Sequence, residues 1–377
     1  MKEIKRDELI FWRDVPVDVE RGAFEYLNEK WGNSVIFICH SDYSNERKQC
    51  DWDAGGLQQI ILENQSDPES TIKEVFRKHP NAIHFFNGFR GKFKNVLKRY
   101  AKDNSKKLCI LAERPNYYST NRFNNSLVNN LYRYYSFIYS RKIDLFLTMG
   151  QKGKITYSQL GFNNDRLFPF MYNPSIKRDD KLDSNFDPKE IKLLYIGRLN
   201  SGFKGVDILM NSLKMINAQN WRLDFVGGYG DLKDEILNLA KNNQRINYKG
   251  TWKSEDVVSK IKEYDLCIVP SRYDGWNLIA NEAINAGVGV VISDQATSDE
   301  LIRASGAGIV FQAGNEMNLA EAITSVLENP HVITEFKKNA RSYASKISSE
   351  IVGQYFIDIV DYTFYKKSNE RPKCPWT

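Results

Sequence analysis

Short apolar runs alternate with amphipathic segments along most of the chain. Residues 206–216 and 232–241 show apolar side chains at helical spacing, and similar segments separate most of the runs. The apolar runs fall into two series, at 9–12, 35–39, 57–62, 83–86, 108–112, 145–149 and 167–171, and then at 193–196, 223–226, 246–248, 266–269, 288–292 and 308–311. Strands that alternate with helices predict parallel sheets built from β–α–β units.

Two such series predict an α/β protein of two Rossmann-like, doubly wound domains. The polar stretch 173–189 separates them, so we place an N-terminal domain at residues 1–175 and a C-terminal domain at 176–349. Helical patterns continue through 320–327, 332–344 and 350–365. We expect the C-terminal helix, about 350–377, to pack back onto the first domain.

Composition agrees with a globular protein and restricts its partners. The 377 residues suit two domains, and 42% are hydrophobic and 13% aromatic. The formal net charge of +6 fits an anionic partner, which could be a nucleotide sugar, a membrane surface or a nucleic acid. Charge alone does not choose among them.

Cysteine use and hydropathy indicate the compartment. The five cysteines are odd in number and widely spread, without a CxxC pair, so we expect neither a disulfide framework nor a zinc site. The chain shows no apolar window of transmembrane length and no signal peptide at its start. The expected location is the cytoplasm, with the inner face of the plasma membrane as a possible site of attachment.

The first chemical motif is LLYIGRLNSGFKGVDILMNSL at residues 193–213. A strand leads into Gly197 and Arg198, a short loop contains Lys204, and a helix begins at about Val206. Ligands of open α/β sheets bind beyond the carboxyl ends of strands, where these two cations would suit a diphosphate. The alternative is an ordinary loop with two solvated cations.

The second motif, residues 264–294, predicts a strand, a loop, a helix and a strand. The helix starts near Leu278, after Gly275, and a helix N-terminus is an anion site. Asp274 lies in the loop and Glu282 about one turn into the helix, where a carboxylate can accept hydrogen bonds from sugar hydroxyls. The alternative is a capping aspartate and a solvent-facing glutamate.

These motifs, with FVGGYG at 225–230 between them, resemble one enzyme family across residues 190–330. The family is the retaining glycosyltransferases called glycosyl transferases group 1, the fourth sequence family. The resemblance implies the GT-B fold, in which two Rossmann-like domains face a central cleft. It also implies a UDP- or GDP-sugar donor. Because Arg198 and Lys204 would already supply positive charge at the diphosphate, we expect no metal and no further cofactor.

The resemblance implies roles for particular side chains. Arg198 and Lys204 would neutralise the donor diphosphate, and Asp274 would contact the transferred sugar. Glu282 would bind the ribose. The other donor-site residues that the resemblance implies are Gly197, Gly250, Trp252, Gly275, Trp276, Asn277 and Leu278. We predict Arg198, Lys204, Asp274 and Glu113 as the catalytic set.

The sequence departs from the family pattern in both halves. Asp274 stands where most members have glutamate, and Asn277 where they usually have glycine. In the N-terminal half only the strand rhythm is similar. Position makes Arg13, Asp14 and Glu113 the candidates that face the cleft, with Arg13 and Asp14 on the acceptor side. Structural salt bridges are the alternative.

Two further segments invite an interpretation. Residues 90–107 are basic, with Phe93, Val96, Leu97 and Tyr100 at helical spacing, which predicts a membrane-surface contact unless this apolar stripe faces the core. Asp51 and Asp53 form a DxD pattern, but three-residue patterns arise by chance and we expect no metal there.

The sequence therefore predicts a retaining glycosyltransferase that transfers a sugar to a glycan or lipid-linked acceptor. The YDGW wording at 273–276 resembles a subset in bacterial surface-polysaccharide assembly, so lipopolysaccharide, O-antigen or capsule synthesis is the expected setting. Two alternatives stay open: a nucleotide-sugar epimerase of the same fold, and a basic module that binds membrane or nucleic acid. No nucleic-acid motif accompanies the basic residues.

Overall fold

The computed structural model describes residues 6–53, 55–103, 105–116, 122–176 and 189–377. Its first sheet has seven parallel strands in the order β3-β2-β1-β4-β5-β6-β7. These strands are β1 Leu9–Arg13, β2 Val35–Cys39, β3 Gln58–Ile61, β4 Ile83–Asn87, β5 Lys107–Ala112, β6 Leu145–Met149 and β7 Leu167–Phe170. The strand order reverses between β1 and β4.

The second sheet has six parallel strands in the order β10-β9-β8-β11-β12-β13. They are β8 Ile191–Ile196, β9 Trp221–Val226, β10 Ile246–Tyr248, β11 Leu266–Val269, β12 Gly289–Ser293 and β13 Gly308–Phe311. Here the order reverses between β8 and β11. Both sheets are therefore doubly wound, each with one switch point.

Helices connect the strands and close the chain. In the first domain they are α1 Arg21–Lys30, α2 Asn45–Gln49, α3 Pro68–Lys78, α4 Lys94–Tyr100, α5 Arg122–Tyr139 and α6 Gly150–Gln159. In the second they are α7 Val206–Leu213, α8 Lys233–Asn242, α9 Val257–Ile261, α10 Leu278–Ala286, α11 Asp299–Ser305, α12 Glu316–Glu328 and α13 His331–Ala344. The last helix is α14 Ser349–Val360, which continues into a π-helical turn, Asp361–Tyr365.

The last helix packs against the first domain. The ring of Phe356 lies 5.9 Å from that of Phe11 and 5.3 Å from that of Phe85, both on central strands. Arg6 and Asp361 form an ion pair at 2.6 Å just beyond this helix. Because Phe11, Phe85 and Phe356 are almost fully buried, the end of the chain completes the core of the N-terminal sheet.

The predicted fold class, two parallel-sheet Rossmann-like domains, is confirmed. Every predicted apolar run is a strand, with ends that differ by no more than a few residues, and α7 and α10 begin at Val206 and Leu278 as predicted. Buried parallel strands are apolar on both faces, so a continuous run marks them without alternation. The connecting stretch 173–189 lies mostly outside the described residues.

The basic stretch 90–107 corrects one expectation. Phe93, Val96, Leu97 and Tyr100 are all buried, so the apolar stripe of α4 faces the core and cannot enter a membrane. Only its polar face, with Lys94 and Lys98, remains exposed. Among the described helices none is both long and apolar enough to cross a bilayer.

Candidate active site

The carboxyl ends of the two sheets face each other across a cleft. Glu113 follows β5, and a Cβ on Gly275 of the second domain would lie 1.9 Å from its Oε2 atom. Beside them the Tyr273 hydroxyl donates to the main-chain oxygen of Arg114 at 2.7 Å. The Arg114 guanidinium in turn donates to the main-chain oxygen of Gln295 at 2.6 Å. The loops after the strands of both domains therefore meet, as ligand-binding loops of open α/β sheets do.

Lys204 and Asp274 come from the loops after β8 and β11, the two strands at the switch point. The Lys204 ammonium lies 2.6 Å from Oδ2 of Asp274, and both side chains are partly buried. The same oxygen accepts a hydrogen bond from Nδ2 of Asn277 at 2.9 Å. The structure thus brings together a predicted phosphate cation and a predicted sugar-binding acid, and it pairs them.

Asn277 joins this pair to the start of α10. It is the N-cap residue, and its Oδ1 accepts a hydrogen bond from the amide of Ile279 at 3.0 Å. A side chain that caps a helix satisfies one of the free amides of the first turn. Glycine has no side chain for this, so the departure from the family pattern at position 277 adds both a cap and a second donor to Asp274.

Gly205 allows the Lys204 loop to lie close to the end of β11. Its φ of +62° lies in the left-handed region, and a Cβ there would lie 2.2 Å from the main-chain oxygen of Pro270. Any other residue would push the two strand ends apart. The close approach of Lys204 to Asp274 therefore depends on this glycine.

The glycine-rich loop after β9 borders the same region. The amide of Gly197 donates to the oxygen of Val226 at 2.9 Å, and the amide of Gly227 donates to the oxygen of Gly250 at 2.8 Å. Arg198 follows Gly197 and is exposed, with its main-chain oxygen held by the Tyr195 hydroxyl at 2.6 Å. Gly197, Arg198 and Gly250 thus lie just beyond the carboxyl ends of strands of the C-terminal sheet.

Glu282 lies inside α10 and is half-buried. Burial raises the pKa of its carboxyl from 4.5 to about 7. Among the described residues no cation forms a salt bridge with it. Desolvation without a compensating charge favours the neutral acid, so this group suits a ligand that donates hydrogen bonds.

The two predicted tryptophans are anchors of the fold. Trp276 is 3% exposed, and its Nε1 donates to Oδ1 of Asn281 at 2.8 Å. The ring of Trp252 packs against that of Tyr264 at 6.1 Å, and the Lys260 ammonium lies over it at 5.5 Å. Of Trp276 only the main chain is placed to touch a ligand in the cleft.

Glu113 is the predicted cleft residue of the first domain that faces the second. Its Oε1 accepts a hydrogen bond from the Tyr172 hydroxyl at 2.7 Å, while Oε2 points at Gly275. Although part of the side chain is open to solvent, desolvation by the surrounding cleft raises the pKa of the carboxyl, and the hydrogen bond from Tyr172 opposes that rise. The nearby carboxylate of Asp274 adds to the rise.

Arg13 and Asp14 have structural partners. The Arg13 guanidinium forms a two-pronged ion pair with Glu20 at 2.8 and 2.9 Å, and both side chains are buried. Oδ1 of Asp14 accepts a hydrogen bond from the amide of Lys92 at 2.8 Å, which ties together the loops after β1 and β4. Arg13 is therefore a neutralised pair beside the cleft rather than a free cation in it.

The DxD pattern is divided between two partners. Asp51 pairs with Lys253 at 2.6 Å, whereas Asp53 lies 3.4 Å from Arg21. In the part of the chain that the structure describes, no group of three or more His, Cys, Asp or Glu side chains is arranged to hold a metal ion.

Three polar residues beside the cleft were not predicted from the sequence. Asn281 is 1% exposed and donates from Nδ2 to the main-chain oxygen of Tyr172 at 3.1 Å. It has no distinctive signal in the sequence, because Asn277 and Asn285 lie four residues to either side of it on the same helix face. Asp18 has a buried Oδ2 without a hydrogen-bond partner, and burial raises the pKa of this carboxyl to about 7. Tyr172 and Asp18 carry no local signal.

The second domain is similar to a known enzyme family. Residues 176–344 match the family described as "Glycosyl transferases group 1". Among curated relatives, an "Uncharacterized 41.2 kDa protein in cps region" of Klebsiella pneumoniae is 26% identical over 48% of this chain and 49% of its own length. The "N,N'-diacetylbacillosaminyl-diphospho-undecaprenol alpha-1,3-N-acetylgalactosaminyltransferase" of Campylobacter jejuni is 25% identical over 62% of this chain and 64% of its own length. The chain thus matches about half to two thirds of these relatives.

Solved structures agree over nearly the whole chain. Anabaena HepE, solved in complex with UDP, has a TM-score of 0.70 at 13% identity and covers 95% of this chain and 100% of its own. Sucrose-phosphate synthase from Thermosynechococcus elongatus has a TM-score of 0.71 at 17% identity, covering 96% and 100%. WaaG, a glycosyltransferase involved in lipopolysaccharide biosynthesis, has a TM-score of 0.62 at 15% identity, covering 94% and 99%. At these identities the likeness shows the GT-B fold.

Proposed function

We propose, from the match of residues 176–344 to the glycosyl transferases group 1 family and from the GT-B fold, that this chain is a retaining glycosyltransferase. It takes its sugar from a UDP- or GDP-sugar and forms an α-linkage. One observation carries the proposal: Lys204, Asp274 and the capped start of α10 converge at the switch point, opposite Glu113. The UDP named for HepE supports the choice of UDP as the first probe.

Charge stabilisation at the diphosphate is the proposed source of catalysis. In the reaction the bond between the anomeric carbon and the phosphate oxygen breaks, and the diphosphate leaves with the electron pair. Arg198, the Lys204 ammonium and the amides that begin α10 stabilise the negative charge that develops there. The acceptor hydroxyl attacks from the same face, and its proton passes to the departing phosphate oxygen. These fixed cations are proposed to act without a metal or a further cofactor.

Lys204 must bind a second partner for this role. Without a donor its ammonium pairs with Asp274, whose Oδ2 also holds Asn277. When a diphosphate enters, the ammonium gains a second anionic partner, and Asp274 keeps it oriented from behind. In this proposal Asp274 acts on the phosphate through Lys204 as well as on the sugar.

The acceptor is proposed to be a glycan or a lipid-linked oligosaccharide in bacterial surface-polysaccharide assembly. The Klebsiella relative from a cps region and the Campylobacter transferase, whose name contains a diphospho-undecaprenol acceptor, support this setting. A cytoplasmic enzyme that binds the inner membrane face peripherally would meet such a substrate.

Any membrane contact is proposed to use exposed groups of α4 and α5. Lys94 and Lys98 are exposed on α4, and Phe137 and Tyr134 are 89% and 58% exposed on α5. Exposed cations and exposed aromatic rings both suit the interface of an anionic bilayer. In a flotation assay with vesicles that contain anionic lipid, the wild-type protein should float with the vesicles. The Phe137→Ser variant should stay in the dense bottom fraction.

The direct test of the donor site is a ligand screen followed by product analysis. UDP or GDP should raise the melting temperature, since a ligand that binds only the folded state stabilises it, and ADP should not. The matching nucleotide sugar should then be consumed, and NMR of the product should show an α-linkage. Lys204→Ala should lower transfer at least about a hundredfold, while Lys241→Ala, a change of an exposed lysine on α8, should not lower it.

Two outcomes would overturn the proposal. If no nucleotide raised the melting temperature, the proposed donor site would be refuted. Epimerised donor without any transfer would favour an epimerase of the same fold, and a β-linked product would leave a glycosyltransferase but contradict retention.

A further inference from the structure

The two oxygens of the Glu113 carboxylate have different surroundings. Oε1 accepts the hydrogen bond from Tyr172 at 2.7 Å. Oε2 faces the main chain of the second domain, where a Cβ on Gly275 would lie only 1.9 Å away. The glycine therefore lets a carboxylate of the first domain reach the loop that begins α10, between Asp274 and Trp276.

A chain of hydrogen bonds holds Glu113 at that loop. Trp276 donates to Asn281 at 2.8 Å, and Asn281 donates to the main-chain oxygen of Tyr172 at 3.1 Å. The hydroxyl of Tyr172 then donates to Glu113. This series of hydrogen bonds starts and ends at the same loop, because Trp276 follows Gly275, which Glu113 faces. Glu113 is thus oriented relative to the second domain although it belongs to the first.

Among the described residues, no cation forms a salt bridge with Glu113. Lys204, whose positive charge acts on Glu113, is already paired with Asp274 at 2.6 Å. Arg13, at the end of another strand of the same sheet, is paired with Glu20 at 2.8 Å. Each of those pairs is neutral, so neither cation is free to neutralise an ionised Glu113. A second carboxylate brought close to an ionised Glu113 would be repelled.

Resting on the proposed function, we infer that Glu113 selects the transferred sugar. Its Oε2 accepts a hydrogen bond from a hydroxyl of a neutral sugar, and its charge excludes nucleotide sugars that carry a carboxylate. Tyr172 and Asn281 are positioning residues, since they act on the sugar only through Glu113 and its loop. The substrate class is therefore a neutral nucleotide sugar and not a nucleotide uronate.

The test compares two donors that differ in one group, UDP-glucose and UDP-glucuronate, by calorimetry at pH 8. Wild-type protein should bind UDP-glucuronate at least about tenfold more weakly than UDP-glucose, given the repulsion of two carboxylates at short range. In Glu113→Gln the two affinities should agree to within about threefold, because a neutral amide does not repel the uronate. UDP lacks the sugar, so its affinity should not change.

Tyr172→Phe tests the positioning role. The phenyl ring fills the same space but donates no hydrogen bond, so Glu113 loses its orientation and keeps its charge. The ratio of the two affinities should fall between those of wild type and Glu113→Gln, with UDP binding unchanged. Glu335→Gln, which alters an exposed carboxylate on α13, should match wild type in every measurement.

The outcomes separate this inference from the proposed function. If neither UDP nor GDP binds the wild type, the donor site itself is wrong and the inference falls with it. If GDP binds and UDP does not, GDP-mannose and GDP-mannuronate replace the two probes. If the nucleotide binds and the wild type accepts both sugars equally, or Glu113→Gln keeps the preference, only the selection by Glu113 is refuted. A Tyr172→Phe ratio equal to wild type would refute the positioning role.

Discussion

Replacement of Glu282 by glutamine should make the free protein more stable and its complexes weaker. Burial raises the pKa of this carboxyl from 4.5 to about 7, and no described cation compensates. An acid with a raised pKa binds more protons in the folded than in the unfolded chain between these two values. Its ionisation therefore removes stability progressively as pH rises from 4.5 to about 7, and the loss is complete at pH 8.

The magnitude follows from the size of the shift. Holding the ionised carboxylate in the fold at pH 8 costs about 3 kcal/mol relative to the unfolded chain. Glu282→Gln has no charge to bury, so it should be more stable than wild type at pH 8 by up to about 3 kcal/mol. At pH 4.5 and below the two proteins should unfold at similar denaturant concentrations.

The affinity for the donor should change with pH in the opposite direction to the stability, rising as the pH rises. If the ribose hydroxyls donate to the ionised carboxylate, the pKa of Glu282 falls again in the complex. A fall from about 7 to its ordinary value predicts that UDP-glucose binds about tenfold more tightly at pH 8 than at pH 6. Binding at pH 6 should release close to one proton. The diphosphate of UDP-glucose does not titrate in this range, so the change belongs to the protein.

The assay is calorimetry of UDP-glucose at pH 6 and pH 8, in two buffers that differ in ionisation enthalpy, with urea unfolding of the same samples. Glu282→Gln should bind weakly and almost equally at both pH values. Wild-type binding that does not change with pH, or a Glu282→Gln variant that keeps the tenfold change, would refute a ribose contact. A variant no more stable than wild type at pH 8 would show that water solvates the carboxylate.

Three other changes test separate parts of the cleft. Lys204→Ala should lower transfer at least about a hundredfold with little change in melting temperature, because a fixed cation at the leaving group acts mainly in the transition state; turnover within threefold of wild type, measured with the donor at saturation, would contradict that role. Asn277→Ala should cost about 1 kcal/mol of stability through the lost cap of α10, and should also reduce turnover because Asp274 loses its second donor. Unchanged turnover in a destabilised variant would limit Asn277 to capping. Asp18→Asn should raise the unfolding free energy at pH 8 by as much as about 4 kcal/mol, with no gain below pH 4, since burial raises the pKa of this carboxyl to about 7. Urea unfolding at the two pH values checks it, and a gain that persists at low pH would point to a cause other than charge.

Local pattern predicted the elements of this chain well. The strand 266–269 and the helix that starts at Leu278 appear as β11 and α10 because parallel strands are continuously apolar and helix starts need a cap. The loops that carry Lys204 and Asp274 were placed correctly for the same reason, since each lies between a predicted strand and a predicted helix. Their pairing was not predicted, because it depends on the distance between loops 70 residues apart in sequence.

The N-terminal half shows why polar residues there were harder to interpret. The sequence places Arg13 at the end of a strand. Only the fold shows that its guanidinium forms an ion pair with Glu20, seven residues later in the chain. The stripe of α4 reads equally well as a membrane face or a core face from its spacing. In the structure the stripe is buried. The apolar surface that covers it comes from residues distant in sequence, so the spacing within α4 could not reveal it.

Hydrophobic periodicity, glycine positions and helix starts are local properties, so the order of residues alone was enough to specify two doubly wound sheets and the loops at their switch points. Charge pairing is not local, because a carboxylate and an ammonium stabilise each other only where folding brings them within a few ångströms. The tertiary structure therefore decided that Lys204 pairs with Asp274, that Arg13 is neutralised, and that Glu113 faces Gly275 without a salt bridge to any described cation. Those three outcomes decide which charges beside the cleft are already paired.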